Sequence, residues 1–162
     1  MRPATLAKTA TGVLATALIG GLASRPAQSA WYENLRKPGF QPPRQAFPIV
    51  WPMLYADIAA VSASTVDDME ERGADGHART YSALLALNLV LNASWSWLFF
   101  NRRLLGTSAI AAAALTASSA DLTRRSIAER GPAAAPLALY PLWCAFATVL
   151  SSRIWWLNRR SD

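Results

Sequence analysis

The sequence predicts an all-α membrane protein: a five-transmembrane-helix bundle forming one domain over residues 1–162, with an ordered proline- and aromatic-rich loop between helices one and two. Three observations carry that prediction. Hydrophobic residues make up 52% of the chain and charged residues only 16%, against roughly 25% charged in soluble domains. The charges are clustered, which leaves apolar stretches near the roughly 20 residues that cross a bilayer. Lipid offers backbone polar groups no partners, so open-ended spans must be helical. Finally, Trp31–Arg44 carries Pro38, Pro42 and Pro43 among aromatics and cations. Each proline removes a backbone donor and biases the residue before it toward extended geometry, so this stretch is too irregular for a helix and reads as a lid loop.

The first apolar stretch runs from about Thr9 to Ala23, behind Arg2 and Lys8. It admits two readings. Ala27-Gln28-Ser29 resembles the small-residue cleavage site of a signal peptide. Against that, Gly12, Thr16 and Gly20 repeat every fourth residue, as do Ala17 and Gly21, and small residues at that spacing allow close helix contact. Segment two is Phe47–Val66 with a single charge, Asp57; segment three is Tyr81–Phe100, uncharged but with Asn88 and Asn92. Segment four, Leu104–Leu122, is alanine-rich with Asp121 near its end, and segment five is Ala133–Asn158, with Pro136 and Pro141 early and Arg153 late. Loop two, Asp67–Arg79, holds Asp67, Asp68, Glu70, Glu71, Asp75 and His77 and reads as a solvated hydrophilic linker.

A formal charge of +6 raises the question of nucleic acid. The cations instead stand in pairs at the ends of apolar segments: Arg36/Lys37, Arg102/Arg103, Arg124/Arg125 and Arg159/Arg160. No basic stripe tracks a phosphate backbone, so nucleic acid is set aside and membrane lipid headgroups are the expected partners. Cations are divided almost evenly between the two ends of the bundle, so orientation is undetermined. One cysteine, Cys144, permits no internal disulfide, and a single histidine builds no metal cluster.

Residues three or four apart share a helix face. Phe47, Trp51 and Tyr55 align in segment two; Asn88, Asn92, Trp95 and Phe99 in segment three; and Trp143, Ala147, Leu150 and Ile154 in segment five, with Phe146 on the flank. Such rings either pack the bundle or line a pocket for a flat conjugated ligand, with Asn92 holding a polar edge. Trp155 and Trp156, beside Arg159 and Arg160, read as interfacial belt and anchor. Asp57 lies deep in a span, where it would pair with Arg153 or an amide, or sit protonated; Asp121, beside Arg124 and Arg125, reads as interfacial.

Four blocks in this order resemble the translocator protein family, also called tryptophan-rich sensory proteins, in its bacterial form. They are Trp31-Tyr32…Leu35…Lys37-Pro38…Pro42-Pro43; Phe47…Trp51…Leu54-Tyr55; Leu91-Asn92…Trp95…Phe99-Phe100; and Trp143…Ala145 through Leu150, closing with Leu157-Asn158. The resemblance implies a five-helix bundle in a bacterial cell membrane, a homodimer, and a pocket closed by the loop after helix one. It implies tetrapyrrole ligands, protoporphyrin IX or haem, with no required cofactor, alongside isoquinolines, benzodiazepines and, in animal members, cholesterol. It also implies that the first helix is kept. By position, the pocket tryptophans match Trp51 and Trp143, the amide Asn92, and the small ligand-facing residue Ala147. Phe47 and Val50 match further ligand-facing positions, and Tyr55, Trp95, Phe99, Phe146 and Leu150 complete the expected lining. Trp31, Arg36, Lys37, Phe40 and Arg44 form the expected lid, its cations reaching ligand propionates. The chain departs from the family at Phe40 and Gln45, where tryptophans are usual, and at Ser151, where asparagine is. The tyrosine of the animal cholesterol motif is absent, which argues against sterol binding.

Three functions compete: a tetrapyrrole receptor or sensor, a light- and oxygen-dependent porphyrin-degrading enzyme, and a porphyrin or lipid transporter. No acid–base or nucleophile constellation supports the enzyme, so its catalytic residues are unassigned. Neither internal repeats nor paired broken helices support the transporter.

Overall fold

The computed structural model describes residues 1–159, so the expected anchor Arg160 lies outside the described residues. The described chain is all-helical. Helix α1 (Pro3–Ala23) is followed by a 3-10 turn (Arg25–Gln28) and a five-residue helix α2 (Ala30–Asn34). A second 3-10 turn (Arg44–Ala46) opens α3 (Phe47–Glu71), and α4 (Asp75–Ser96) passes into a single π turn (Trp97–Asn101). Then come α5 (Leu105–Arg130), a 3-10 segment (Gly131–Ala138) and α6 (Leu139–Asn158). Four helical stretches are long and apolar enough to cross a membrane, and the last, Leu105–Asn158, contains both α5 and α6.

The first helix begins six residues before its predicted start, because Pro3 suits a first helical turn and Arg2 before it is held by α3. The small-residue stripe is packed: Thr16 and Gly20 are buried, and a side chain on Gly20 would come within 3.8 Å of Ser96 Oγ and Tyr55 Oη. At the far end, Asn101 Nδ2 donates to the Ala23 carbonyl at 2.7 Å and covers one of the acceptors that α1 leaves open. Helix α1 thus lies against α3 and α4.

Loop two is a correction. The acidic stretch is not a solvated linker, since α3 runs on to Glu71 and α4 starts at Asp75, and His77 is helical. Only Arg72–Ala74 connects them, with Gly73 at φ 73, a left-handed geometry that favours glycine. Helix extension is favoured because three of the acids, Asp67, Asp68 and Glu70, find cations just before α1 and at the end of α5. Asp67, fully buried, accepts from the Arg2 backbone N–H and, at 3.0 Å, from Arg2 Nε, with the terminal ammonium 3.9 Å away. Arg2 also binds Glu70, Asp68 takes Arg130 at 2.7 Å, and Arg72 pairs with Glu129. A buried carboxylate is stable only when paired. Asp67→Asn is therefore expected to lower the thermal midpoint of the detergent-solubilised protein, whereas Glu71→Gln, at an exposed position, leaves it unchanged. Equal midpoints for the two variants would show that the clamp contributes nothing.

Segment four also runs past its predicted end, to Arg130, with Asp121 bridging Arg124 and Arg125 at 2.7 Å each as expected of an interfacial residue. The chain turns at Gly131 (φ 58), and the eight residues after α5 wind as a 3-10 segment containing Pro136, so the α-helix predicted from Ala133 starts only at Leu139. Helix α6 then packs along α5, its most extensive neighbour, and approaches α3 at only a few backbone positions. Loop one is not wholly irregular either: Trp31–Asn34 lie in α2, capped by Ser29, whose Oγ accepts from the Tyr32 N–H.

The main core gathers residues of α1 and α3 to α6, among them Val13, Ile58, Tyr81, Leu137, Tyr140 and Cys144. A second cluster of Tyr32, Phe99, Leu150 and Ile154 fastens loop one to the bundle. Large apolar side chains such as Leu18, Met53, Ile110 and Leu142 stand exposed on the outside, as lipid-facing residues do.

Candidate functional site

The aromatic stripes come together as two rows of rings. In the first, α3 and α4 contribute Trp51, stacked on Tyr55 at 5.4 Å and 6.4 Å from Trp95, which continues to Phe99 at 6.2 Å. Phe99 meets Phe100 at 4.8 Å and both Trp31 and Tyr32 of α2 at 6.3 Å, edge to face. The second row runs from Phe47 to Trp143 at 5.9 Å, to Phe146 at 5.5 Å and to Phe40 of the loop at 6.3 Å. Offset and edge-on contacts of this kind suit the ring quadrupoles.

Phe47 and Trp51 are one helical turn apart on α3 yet belong to different rows. Phe47 is the α3 ring that meets Trp143, while Trp51 leans toward α4. Val50, Trp51, Tyr55 and Trp143 are partly buried against the main core. Ala147 is half-buried one turn beyond Trp143, and Leu150 is buried beneath the loop with Tyr32, Phe99 and Ile154. Trp95 Nε1 donates to Ser151 Oγ at 3.3 Å, which ties α4 to α6 at the position where the sequence departs from asparagine.

Between the helices runs a line of polar bonds. Tyr55 Oη donates to Asn92 Oδ1 at 3.0 Å, and Asn92 Nδ2 donates to Tyr140 Oη at 3.0 Å. Tyr140 Oη donates in turn to Asn88 Oδ1 at 2.8 Å, and Asn88 Nδ2 to Ser118 Oγ at 3.1 Å. Asn92, expected to hold a ligand edge, is 1% exposed with both ends of its amide engaged; its partner Tyr55 is the member of the line that reaches the rings. Tyr140 escaped the sequence reading, although a tyrosine inside an apolar helix announces that a hydroxyl partner must exist. Asp57 pairs with neither Arg153 nor an amide: Arg153 is exposed, and Asp57 Oδ2 is buried without a hydrogen-bond partner.

The lid residues divide by task. Lys37 Nζ closes the end of α2, donating to the Glu33 carbonyl at 3.1 Å and to that of Tyr32, and lies 4.5 Å from the centre of the Tyr32 ring. Burial lowers the Lys37 ammonium below its ordinary pKa and raises the Tyr32 phenol above its own. The Arg36 backbone exchanges two hydrogen bonds with the side chain of Asn158, at 3.0 and 2.9 Å, which fixes the loop to the end of α6. Arg44 is exposed, 3.5 Å from Glu33, and Phe40 is 49% exposed above Phe146. Among the described residues no cluster of His, Cys, Asp and Glu could hold a metal ion.

Residues 9–157 match the model of the TspO/MBR family. The chain is 35% identical to the translocator protein of Ovis aries over 96% of this chain and 88% of that protein. It is 27% identical to the tryptophan-rich protein TspO of Bacillus cereus over 82% of this chain and 84% of that one. A tryptophan-rich sensory protein of Cereibacter sphaeroides is 33% identical over 48% of this chain and 45% of its own length. Lipid-facing helices, tryptophan rows on α3, α4 and α6 and a match across nearly the whole chain lead to one conclusion: this is a multi-pass membrane protein belonging to the TspO/MBR family.

Proposed function

We propose that this chain is a five-span membrane receptor that binds a flat tetrapyrrole such as protoporphyrin IX between its two aromatic rows, beneath loop one. Five spans follow if the stretch Leu105–Asn158 is counted as two crossings, since α5 has 26 residues and α6 has 20, each enough for a bilayer. The observation that carries the ligand reading is the spacing of α3 and α6. Their backbones approach at few points, and the ring pair Phe47 on Trp143 spans them, so a planar ligand can exchange that ring–ring contact for ring–ligand contact. Asn92 then acts by orienting Tyr55, and Arg44, an exposed lid cation 3.5 Å from Glu33, meets a propionate. The interior offers no histidine for iron, so a metal-free porphyrin serves as well as haem.

Purified protein titrated with protoporphyrin IX in the dark is expected to show saturable quenching of tryptophan fluorescence at one ligand per chain. Quenching that never saturates rejects the receptor. Product analysis of the same complex under light and oxygen distinguishes a receptor from a degrading enzyme. Phe40→Trp enlarges the ring above Phe146 and is expected to tighten binding by about 0.5–1 kcal/mol. Unchanged affinity in the folded variant would remove Phe40 from the lid.

A further inference from the structure

A second site adjoins the outer end of the first aromatic row, at Trp31. A cavity of about 690 Å³ lies where loop one, the start of α5 and the end of α6 meet, and its wall includes Arg36, Arg103, Arg159, Asn158, Trp155 and the first turn of α5. None of the residues lining it is acidic, and none of the three arginines forms a salt bridge with a carboxylate among the described residues. Two of the guanidinium groups are held in place, Arg103 5.1 Å over the ring of Trp31 and Arg159 3.3 Å over that of Trp156, and the Arg36 backbone is clamped by Asn158. Arg103 also adopts φ 56, a left-handed conformation that is strained for a residue with a side chain and that tends to persist where a site requires it. Helix α5 begins beside it with no side-chain cap and no acid in its first turn, so its Gly106 and Thr107 add a positive helix end to the same wall. Glycine at 106 lets the turn come close to Trp155, since a side chain there would stand 3.1 Å from Trp155 Nε1.

We propose that this cavity seats the phosphate headgroup of an anionic phospholipid. Three cations, two of them stacked on tryptophans, and a helix N-terminus supply the anion site. Its open rim carries exposed apolar side chains, Leu104 before α5 at 48% and Trp155 of α6 at 41%. A soluble anion gains nothing from that rim, whereas acyl chains running down from a bound headgroup cover it. Basic pockets between transmembrane helices are suited to such headgroups.

The test is native mass spectrometry of the full chain in detergent, with phosphatidylglycerol and phosphatidylcholine offered in equal amounts. The first bound lipid is expected to be phosphatidylglycerol by at least about tenfold. The triple variant Arg36→Gln/Arg103→Gln/Arg159→Gln is expected to bind both lipids within about twofold, while Lys8→Gln/Arg79→Gln/Arg124→Gln, which removes as much charge from the opposite end, keeps the parent preference. Should the triple variant fail to fold by circular dichroism, Arg103→Gln alone is expected to cut the preference by about three- to fivefold. Preference retained in a folded triple or single variant, or lost equally in the control, overturns the proposal. So does displacement of the lipid by an equal concentration of the tail-less headgroup, glycerophosphoglycerol, which would mark a soluble-anion site. The lipid preference does not depend on porphyrin binding, so either reading can fail alone.

Discussion

Trp143→Ala is expected to weaken protoporphyrin IX binding by about 1–3 kcal/mol, roughly five- to 150-fold in Kd. Trp143 stands in the middle of the second row, between Phe47 at 5.9 Å and Phe146 at 5.5 Å, so its truncation splits that row and removes its tryptophan face. Trp143→Phe keeps an aromatic face and should cost little. Trp156→Ala is the control, because Trp156 is half exposed, covered by Arg159, and belongs to the interfacial belt. Its affinity should match the parent while its seating in the membrane changes. All three are compared in one detergent, with helicity checked by circular dichroism. A folded Trp143→Ala protein that binds like the parent would mean that the rows are packing alone.

Tyr140→Phe is the second large effect, this time on stability. Tyr140 is 1% exposed, and its hydroxyl serves as acceptor for Asn92 and donor to Asn88. Its removal strands one amide donor and one amide acceptor in the core. Each unsatisfied buried group costs about 1–3 kcal/mol, and bonds inside membrane bundles fall toward the lower end of that range. The thermal midpoint of Tyr140→Phe is therefore expected to fall clearly below that of Tyr55→Phe, which loses one bond at the partly buried end of the line. A double-mutant cycle with Asn88→Leu checks the cause, since much of the penalty should vanish once the stranded acceptor is also gone. If Tyr140→Phe melts with the parent, the line is not what joins α4 to α6.

Much of the bundle can be read in the chain because each span must satisfy its own backbone and face an apolar solvent, and both requirements are local. The small-residue stripe of α1 and the aromatic faces of α3, α4 and α6 follow from periodicity alone. The acidic stretch after Val66 could not be read the same way. Five carboxylates in a row of residues look solvated, yet Asp67 is buried because Arg2, 65 residues away, reaches it. Lys37 and Asn92 likewise have partners that the sequence pattern does not show. Each looked free to meet a ligand, and each is occupied, Lys37 by the carbonyls ending α2 and Asn92 by two tyrosines.

By itself the sequence determined that this chain is a helical membrane protein of its family, which helix faces carry rings, and where belt and cations stand. Hydropathy and a 3.6-residue period are properties of one helix, independent of its neighbours. Only the tertiary structure decided that Phe47 rather than Trp51 meets Trp143, that Tyr140 completes the amide line, and that three arginines from separate segments converge on one cavity. Those outcomes depend on how far each helix is rotated and shifted against the next. That is set by the packing of all the helices at once, and no single stripe encodes it.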